Sequence, residues 1–164
     1  MKKVLIRGEF ASAFGIGLVV VAAVVGAILF MQRGAHMDLT GAMSVRTLST
    51  GDYDALALVN LRITNPSDYS FVVRNVTVIL ETNAGEFPRE IVSRSDTQHL
   101  FDTTPEAGPP RPTLYTNATI LPHTTTDYTV AAQFSAPEKI LQDRKRFVVR
   151  IEEIDGKTVE FAEK

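Results

Sequence analysis

The chain has 164 residues, of which 45% are hydrophobic and 22% charged, a balance that excludes a disordered chain and fits one folded domain with an appendage. It contains no cysteine, which excludes a disulfide framework, a thiolate metal site and a cysteine nucleophile. Its net charge of −2 supplies no overall pull toward nucleic acid.

Residues Phe10 to Met31 form a run of 22 residues without a charge. A helix needs roughly 20 apolar residues to cross a bilayer core, so this run predicts a membrane span. A cleaved signal peptide has an apolar core of only about 7–15 residues. Gln32, Arg33 and Gly34 follow directly, with no small-residue cleavage site, so the expectation is an uncleaved signal anchor. Lys2, Lys3 and Arg7 precede the run, and Arg33 alone follows closely. That bias keeps the N-terminus in the cytoplasm and sends the rest across the cytoplasmic (inner) membrane, to the periplasm or the extracellular space. Residues 34–164 carry 13 Lys/Arg and 18 Asp/Glu, a net charge of −5, which predicts a domain that stands off anionic headgroups. The organisation that follows is a tail (1–9), a span (10–31), a linker with a first strand (32–51) and an outer β domain (52–164). Small residues four apart, Ala13 with Gly17 and Ala22 with Gly26, would let two such helices pack closely, the basis for a possible homodimer.

The outer region reads as short strands. Met43, Val45 and Thr47 give a weak alternation. Ala57, Val59, Leu61 and Ile63 give a stronger one, closed by the turn formers Asn65-Pro66-Ser67-Asp68. In the run Phe71–Thr82, Val76, Val78 and Leu80 are expected inside and Thr77, Ile79 and Glu81 outside. Phe87–Val92, interrupted by Pro88, is expected at a sheet edge. Tyr128–Phe134 and Phe147–Glu152 alternate in the same way, and Asp155-Gly156 predicts a tight hairpin leading to Val159 and Phe161. Two capping boxes, Ser95-x-x-Gln98 and Ser135-x-x-Glu138, predict short helices that plug ends of the sandwich. The pattern predicts an all-β sandwich of about seven strands with one N-terminal transmembrane helix and one or two helical turns.

The segment LVNLRITNPSDYSFVVRNVTVILETNAG resembles the front half of membrane-anchored, telokin-like immunoglobulin-like domains of unknown function found outside the bacterial membrane. It is also similar to the water-stress (late embryogenesis abundant, type 2) β-sandwich, whose strand ends in Asn-Pro-Asn; Ser67 stands at the third position here. ILPHTTTDYTVAAQFSAPEKI resembles the telokin-like back half through Leu121-Pro122 and through Phe134 with Pro137, with His123 where that pattern has glycine. The resemblance spans roughly residues 56–161. It implies an immunoglobulin-like fold and no particular activity.

Catalytic signals are sparse. Of the three histidines, His36 lies in the linker and His123 in a turn. His99 shares a helix with Asp96, near Asp102, a spacing that could give a weak metal site. No nucleophile elbow, phosphate loop or H-E-x-x-H motif occurs. Glu152 and Glu153 point to opposite faces of one strand. Arg144-Lys145-Arg146 with Arg150 is interleaved with acids and reads as a mixed-charge surface. Asn75-Val-Thr77 and Asn117-Ala-Thr119 match the N-glycosylation acceptor pattern but are idle in a bacterial setting. No catalytic, cofactor or metal residues are assigned, and no nucleic-acid partner is expected.

The segment Asp102–Ala118 holds four of the eight prolines and exceeds ordinary loop length. Pro109, Pro110, Arg111, Pro112, Leu114 and Tyr115 are the candidate partner-binding residues; the alternative is that Leu114 and Tyr115 pack over one end of the core. The function expected is a non-catalytic, membrane-anchored module that binds or assembles with another envelope or membrane protein. The alternative is an apolar-ligand or lipid binder, and an envelope hydrolase ranks last.

Overall fold

The computed structural model describes residues 17–27 and 39–164. The chain divides into two compact units, Met1–His36 and Met37–Lys164. In the first, residues 17–27 are helical (α1). Leu18, Val19, Val20 and Val21 project in four successive directions about a helix axis and are 60%, 66%, 55% and 63% exposed. Among the described residues no helix is long and apolar enough to cross a membrane. The remainder of the expected span, with Ala13, the tail and His36, lies outside the described residues.

The second unit is mostly β-structure. Its described residues form β1 (Thr40–Ser49), β2 (Ala55–Asn65), β3 (Phe71–Thr82), β4 (Gly85–Glu90), β5 (Thr119–Ile120), β6 (Thr124–Phe134), β7 (Arg146–Glu153) and β8 (Thr158–Ala162). A three-stranded sheet runs β1-β2-β6; a five-stranded sheet runs β4-β3-β7-β8, with β5 paired to β3. The expected strands are present, and the count rises from about seven to eight because the two-residue β5 carried no pattern to read. β1 pairs with β2 along its whole length, from Thr40 opposite Thr64 to Ser49 opposite Ala55, so it is an integral strand of the sandwich.

The inner faces meet as the alternation requires. Val59, Leu61 and Ile63 of β2, Val73, Val76 and Val78 of β3 and Phe147, Val149 and Ile151 of β7 are fully buried in one core. Phe134 and Phe147 pack across the sheets with ring centroids 5.9 Å apart. Each Å² of apolar surface removed from water contributes about 25 cal/mol. At Gly41 the backbone of β2 comes so close that a Cβ would lie 1.9 Å from the Arg62 carbonyl oxygen, so a side chain there would force β1 and β2 apart. Gly156, with φ of 85°, closes the β7–β8 hairpin that Asp155-Gly156 predicted.

The helices depart from expectation. α2 (Arg94–Thr103) does not plug an end. Together with the 3₁₀ turn Pro105–Ala107 it belongs to a second apolar cluster on the outer face of the three-stranded sheet, where Leu56, Leu58, Ala107 and Ala131 are buried with Leu100 and Phe101 against them. Its cap is Ser93, not Ser95: the Ser93 Oγ accepts the Asp96 N–H at 3.2 Å and donates to the Asp96 carboxylate at 2.7 Å. α3 (Glu138–Gln142) starts at Pro137 without a side-chain cap, so Ser135 does not serve as one. Its Leu141 is fully buried in the main core, and Glu138 accepts a hydrogen bond from Thr47 of β1.

Candidate functional site

Sheet edges come first, because an unpaired strand presents a row of backbone donors and acceptors. The free side of β6 is occupied. The Val92 N–H donates to the Ala131 carbonyl at 2.7 Å, the Leu114 N–H to the Thr129 carbonyl at 3.1 Å, and the Thr129 N–H to the Pro112 carbonyl at 2.8 Å. The proline-rich segment is therefore pinned by its Pro112–Leu114 end as a cover on β6.

That placement divides the six sequence candidates. Leu114 is fully buried in the core and is withdrawn from the surface. Tyr115 is 38% exposed and lies beneath the Arg94 guanidinium, 4.9 Å from its ring centroid. Pro109, Pro110, Arg111 and Pro112 are exposed. The structure thus splits the group into a buried anchor and an outer rim.

β4 differs from β6. Every residue from Gly85 to Glu90 is exposed, and among the described residues β3 is its one strand partner. Pro88 sits within it, as the edge assignment requires. Beside it lies a cleft of about 280 Å³, lined by Leu80, Phe87, Arg89, Phe134, Ala136 and Ile140. Phe87 and Ile140 flank the cleft at 43% and 47% exposure. Sequence reading found the edge but missed the cleft, because Ile140 joins it only through the packing of α3.

The charged groups are engaged locally. Arg144 forms a two-point ion pair with Glu163, donates to the Leu141 carbonyl and lies over the Phe147 ring. The hydrogen bonds from Arg144 hold the Glu163 carboxyl below its usual range, against the opposing effect of burial. Arg146 grips Glu81 through two bonds of 2.8 and 3.0 Å, which lowers Glu81 and raises Arg146. Arg150 pairs with Glu160. Each of the three arginines of the basic cluster is thus paired with its own carboxylate. Glu153 is buried at 3% exposure, and its carboxyl is pushed up by desolvation, with Asp155 adding to the shift and Lys157 opposing it. Among the described residues no group of three His, Asp or Glu is placed to hold a metal ion; Asp96 serves the cap of α2. His123 Nε2 donates to the Asp68 carboxylate at 2.8 Å. The acceptor Asn75 uses its own side-chain oxygen on the Val76 N–H, and Asn117 occupies a left-handed turn.

A second opening, about 650 Å³, runs between the edge strands β1 and β8 and is lined by Leu39, Met43, Val45 and Phe161 among others. On α1, a Cβ added to Gly17 or Gly26 would meet nothing within 4 Å.

No family model and no curated protein matches the chain. Two solved structures are similar to it over 77% of its length. One is the structural-genomics target SoR45, at 13% identity, with 83% of that chain covered and a TM-score of 0.38. The other is an uncharacterized beta-sandwich protein from Clostridium difficile, at 13% identity, with 84% covered and a TM-score of 0.36. The two-sheet fold rests on the strand pairing of this chain.

Proposed function

We propose that the protein is a single-pass anchor of the cytoplasmic membrane whose outer, immunoglobulin-like sandwich of the telokin-like kind binds a protein partner and performs no reaction. The anchor reading is supported by the uncharged run Phe10–Met31 and by α1 within it, whose apolar side chains are exposed all round. The observation that carries the binding reading is the contrast between two edges: β6 is shut by its own chain, and β4 is left open beside an apolar cleft. An extended segment of an envelope protein could add to β4 through backbone hydrogen bonds and set an apolar side chain between Phe87 and Ile140. A photo-crosslinking residue at Phe87, in cells, should give a discrete protein adduct that is absent when the same residue replaces Tyr53 at a distant turn. No adduct at 87, or the same adducts at both positions, would sink the reading.

The opening between β1 and β8 favours a second reading, an apolar ligand seated against Leu39, Met43, Val45 and Phe161. A fluorescent apolar probe bound there should be displaced by lipids, and Val45→Glu should abolish its binding.

A further inference from the structure

Pairing fixes which turns lie at the end of the sandwich where the chain enters. Thr40 begins β1 opposite Thr64; Asn65, at the end of β2, is opposite Thr124, at the start of β6. Phe71, at the start of β3, is opposite Ile120, and Val73 is opposite Glu153 at the end of β7. The turns after β2, β5 and β7 therefore share one end with Leu39. Each of them exposes one large apolar side chain: Tyr69 at 60%, Leu121 at 57% and Ile154 at 57%.

These turns are built into one platform. The buried Asn65 donates from Nδ2 to the Tyr69 carbonyl at 2.8 Å and to the Ile120 carbonyl at 3.1 Å, joining the first two turns. Asp68 and His123 join them again at 2.8 Å. The Ile154 N–H donates to the Val72 carbonyl at 3.0 Å, fixing the third turn to β3. Around this end Arg62 faces Asp127, Arg74 faces Glu152 and His123 faces Asp68, and Glu153, Asp155 and Lys157 lie at the third turn. Further acids lie away from it: Asp52 and Asp54 in the β1–β2 turn at the opposite end and Glu86 and Glu90 of β4.

We propose that this end rests on the bilayer interface, with Tyr69, Leu121 and Ile154 inserted at headgroup level. The inference rests on the anchor reading above. Seven residues, 32–38, separate the uncharged run from Leu39. Even fully extended they reach about 25 Å, so an anchored domain stays close to the surface. The tether also supplies a high local concentration, so three modest apolar contacts suffice. A tyrosine at such a rim suits the membrane interface, with its ring in the apolar boundary and its hydroxyl in water.

The absence of cysteine makes the test direct. Leu121→Cys, Ile154→Cys and, as a control, Tyr53→Cys are each labelled with an environment-sensitive fluorophore, and the full chain is reconstituted in phosphatidylcholine vesicles with and without a shallow nitroxide lipid. Labels at 121 and 154 should shift to the blue and lose most of their emission to the nitroxide; the label at 53 should do neither. If the protein floats with the vesicles and all three labels behave alike, the proposal fails while the anchor stands. Labels at 121 and 154 shielded from an aqueous quencher but untouched by the nitroxide would mean a protein covers this end, and would also overturn it. A chain that fails to float, or that alkaline carbonate extracts, would overturn the anchor itself and the proposal with it.

Discussion

On the outer side of the three-stranded sheet, Leu56, Leu58 and Ala131 lie under α2 and the 3₁₀ turn and are at most 6% exposed. On the outer side of the five-stranded sheet no helix covers the strands among the described residues, yet Ile79 and Val148 are only 3% and 5% exposed. They sit in one cross-strand row, Pro88, Ile79, Val148 and Ala162. One neighbouring row holds Glu86, Glu81 and Arg146; the other holds Glu90, Thr77, Arg150 and Glu160. The first sheet is dried by a helix with its own apolar face. In the second, the apolar row lies between two flanking rows whose charged ends pair along each row, Glu81 with Arg146 and Arg150 with Glu160. The long stems of such side chains can lie over a neighbouring apolar row. The difference shows where the chain can tolerate change. A helix-covered face depends on packing and fails when volume is lost, whereas a face covered by ion pairs depends on several small, replaceable contributions.

The sharpest way to break the comparison is Leu58→Ala. It removes volume from a closed layer, so it should cost about 3 kcal/mol in urea unfolding. Hydrogen exchange should quicken across residues 94–103 while β3 and β7 keep their protection. Equal loosening of both sheets would mean that α2 is not a separate layer. Next is Glu163→Gln, at the edge of the five-stranded sheet. This carboxylate accepts from Arg144 and from the Phe147 N–H, and charge-assisted bonds of this kind make the loss about 2 kcal/mol near neutral pH. The folded pKa of Glu163 lies below its unfolded value, so its contribution is complete above the unfolded pKa. It fades as pH falls through the folded pKa. Wild type and variant should therefore converge in acid. Ser93→Ala should cost about 1 kcal/mol by leaving the first turn of α2 uncapped, and the loss should appear first in exchange of residues 94–97.

Much of the sandwich was legible because its inner faces obey a period of two, as in Val76, Val78 and Leu80. The layer beneath α2 was not read, although β2 begins Ala55-Leu56-Ala57-Leu58-Val59, apolar at both parities and buried throughout. Such a run means two covered faces; the partner that covers the second face lies forty residues further on and is invisible to a local pattern. The cap of α2 was misplaced by two positions because Ser93 and Ser95 each precede an acceptable partner by three residues, and only the path of the chain from β4 decides between them. Among the candidate binding residues, the proline run stands out in the sequence by its composition alone. That Leu114 faces inward follows from the Pro112 and Leu114 bonds to Thr129, a contact with no sequence signature. The cleft between β4 and α3 has the same origin, since Phe87 and Ile140 meet only in the folded chain.

Two smaller changes would sharpen the picture of the ion-paired sheet. Glu153 is the converse of Glu163. Burial raises its pKa, so at neutral pH, above the folded pKa, its charge opposes folding, and that penalty disappears as pH falls through the folded pKa toward the unfolded one. Glu153→Gln should then stabilise by less than about 1 kcal/mol near pH 7 and do nothing in acid; a variant that loses stability at neutral pH would mean that the carboxylate has a compensating partner at this end. The smallest effect is expected at Arg150→Ala. Its pair with Glu160, at 2.8 Å, is about half exposed on both sides. Such pairs contribute roughly 0.5 kcal/mol and weaken with salt. If the arginine served only as a charge, the whole loss should vanish at 1 M salt, where the Debye length is about 3 Å. If its stem helps to dry Ile79 and Val148, a remainder should persist at high salt, and Arg150→Met should restore that remainder but not the salt-sensitive part. Recovery by methionine is therefore the result that distinguishes a covered sheet from one that is merely decorated with charge.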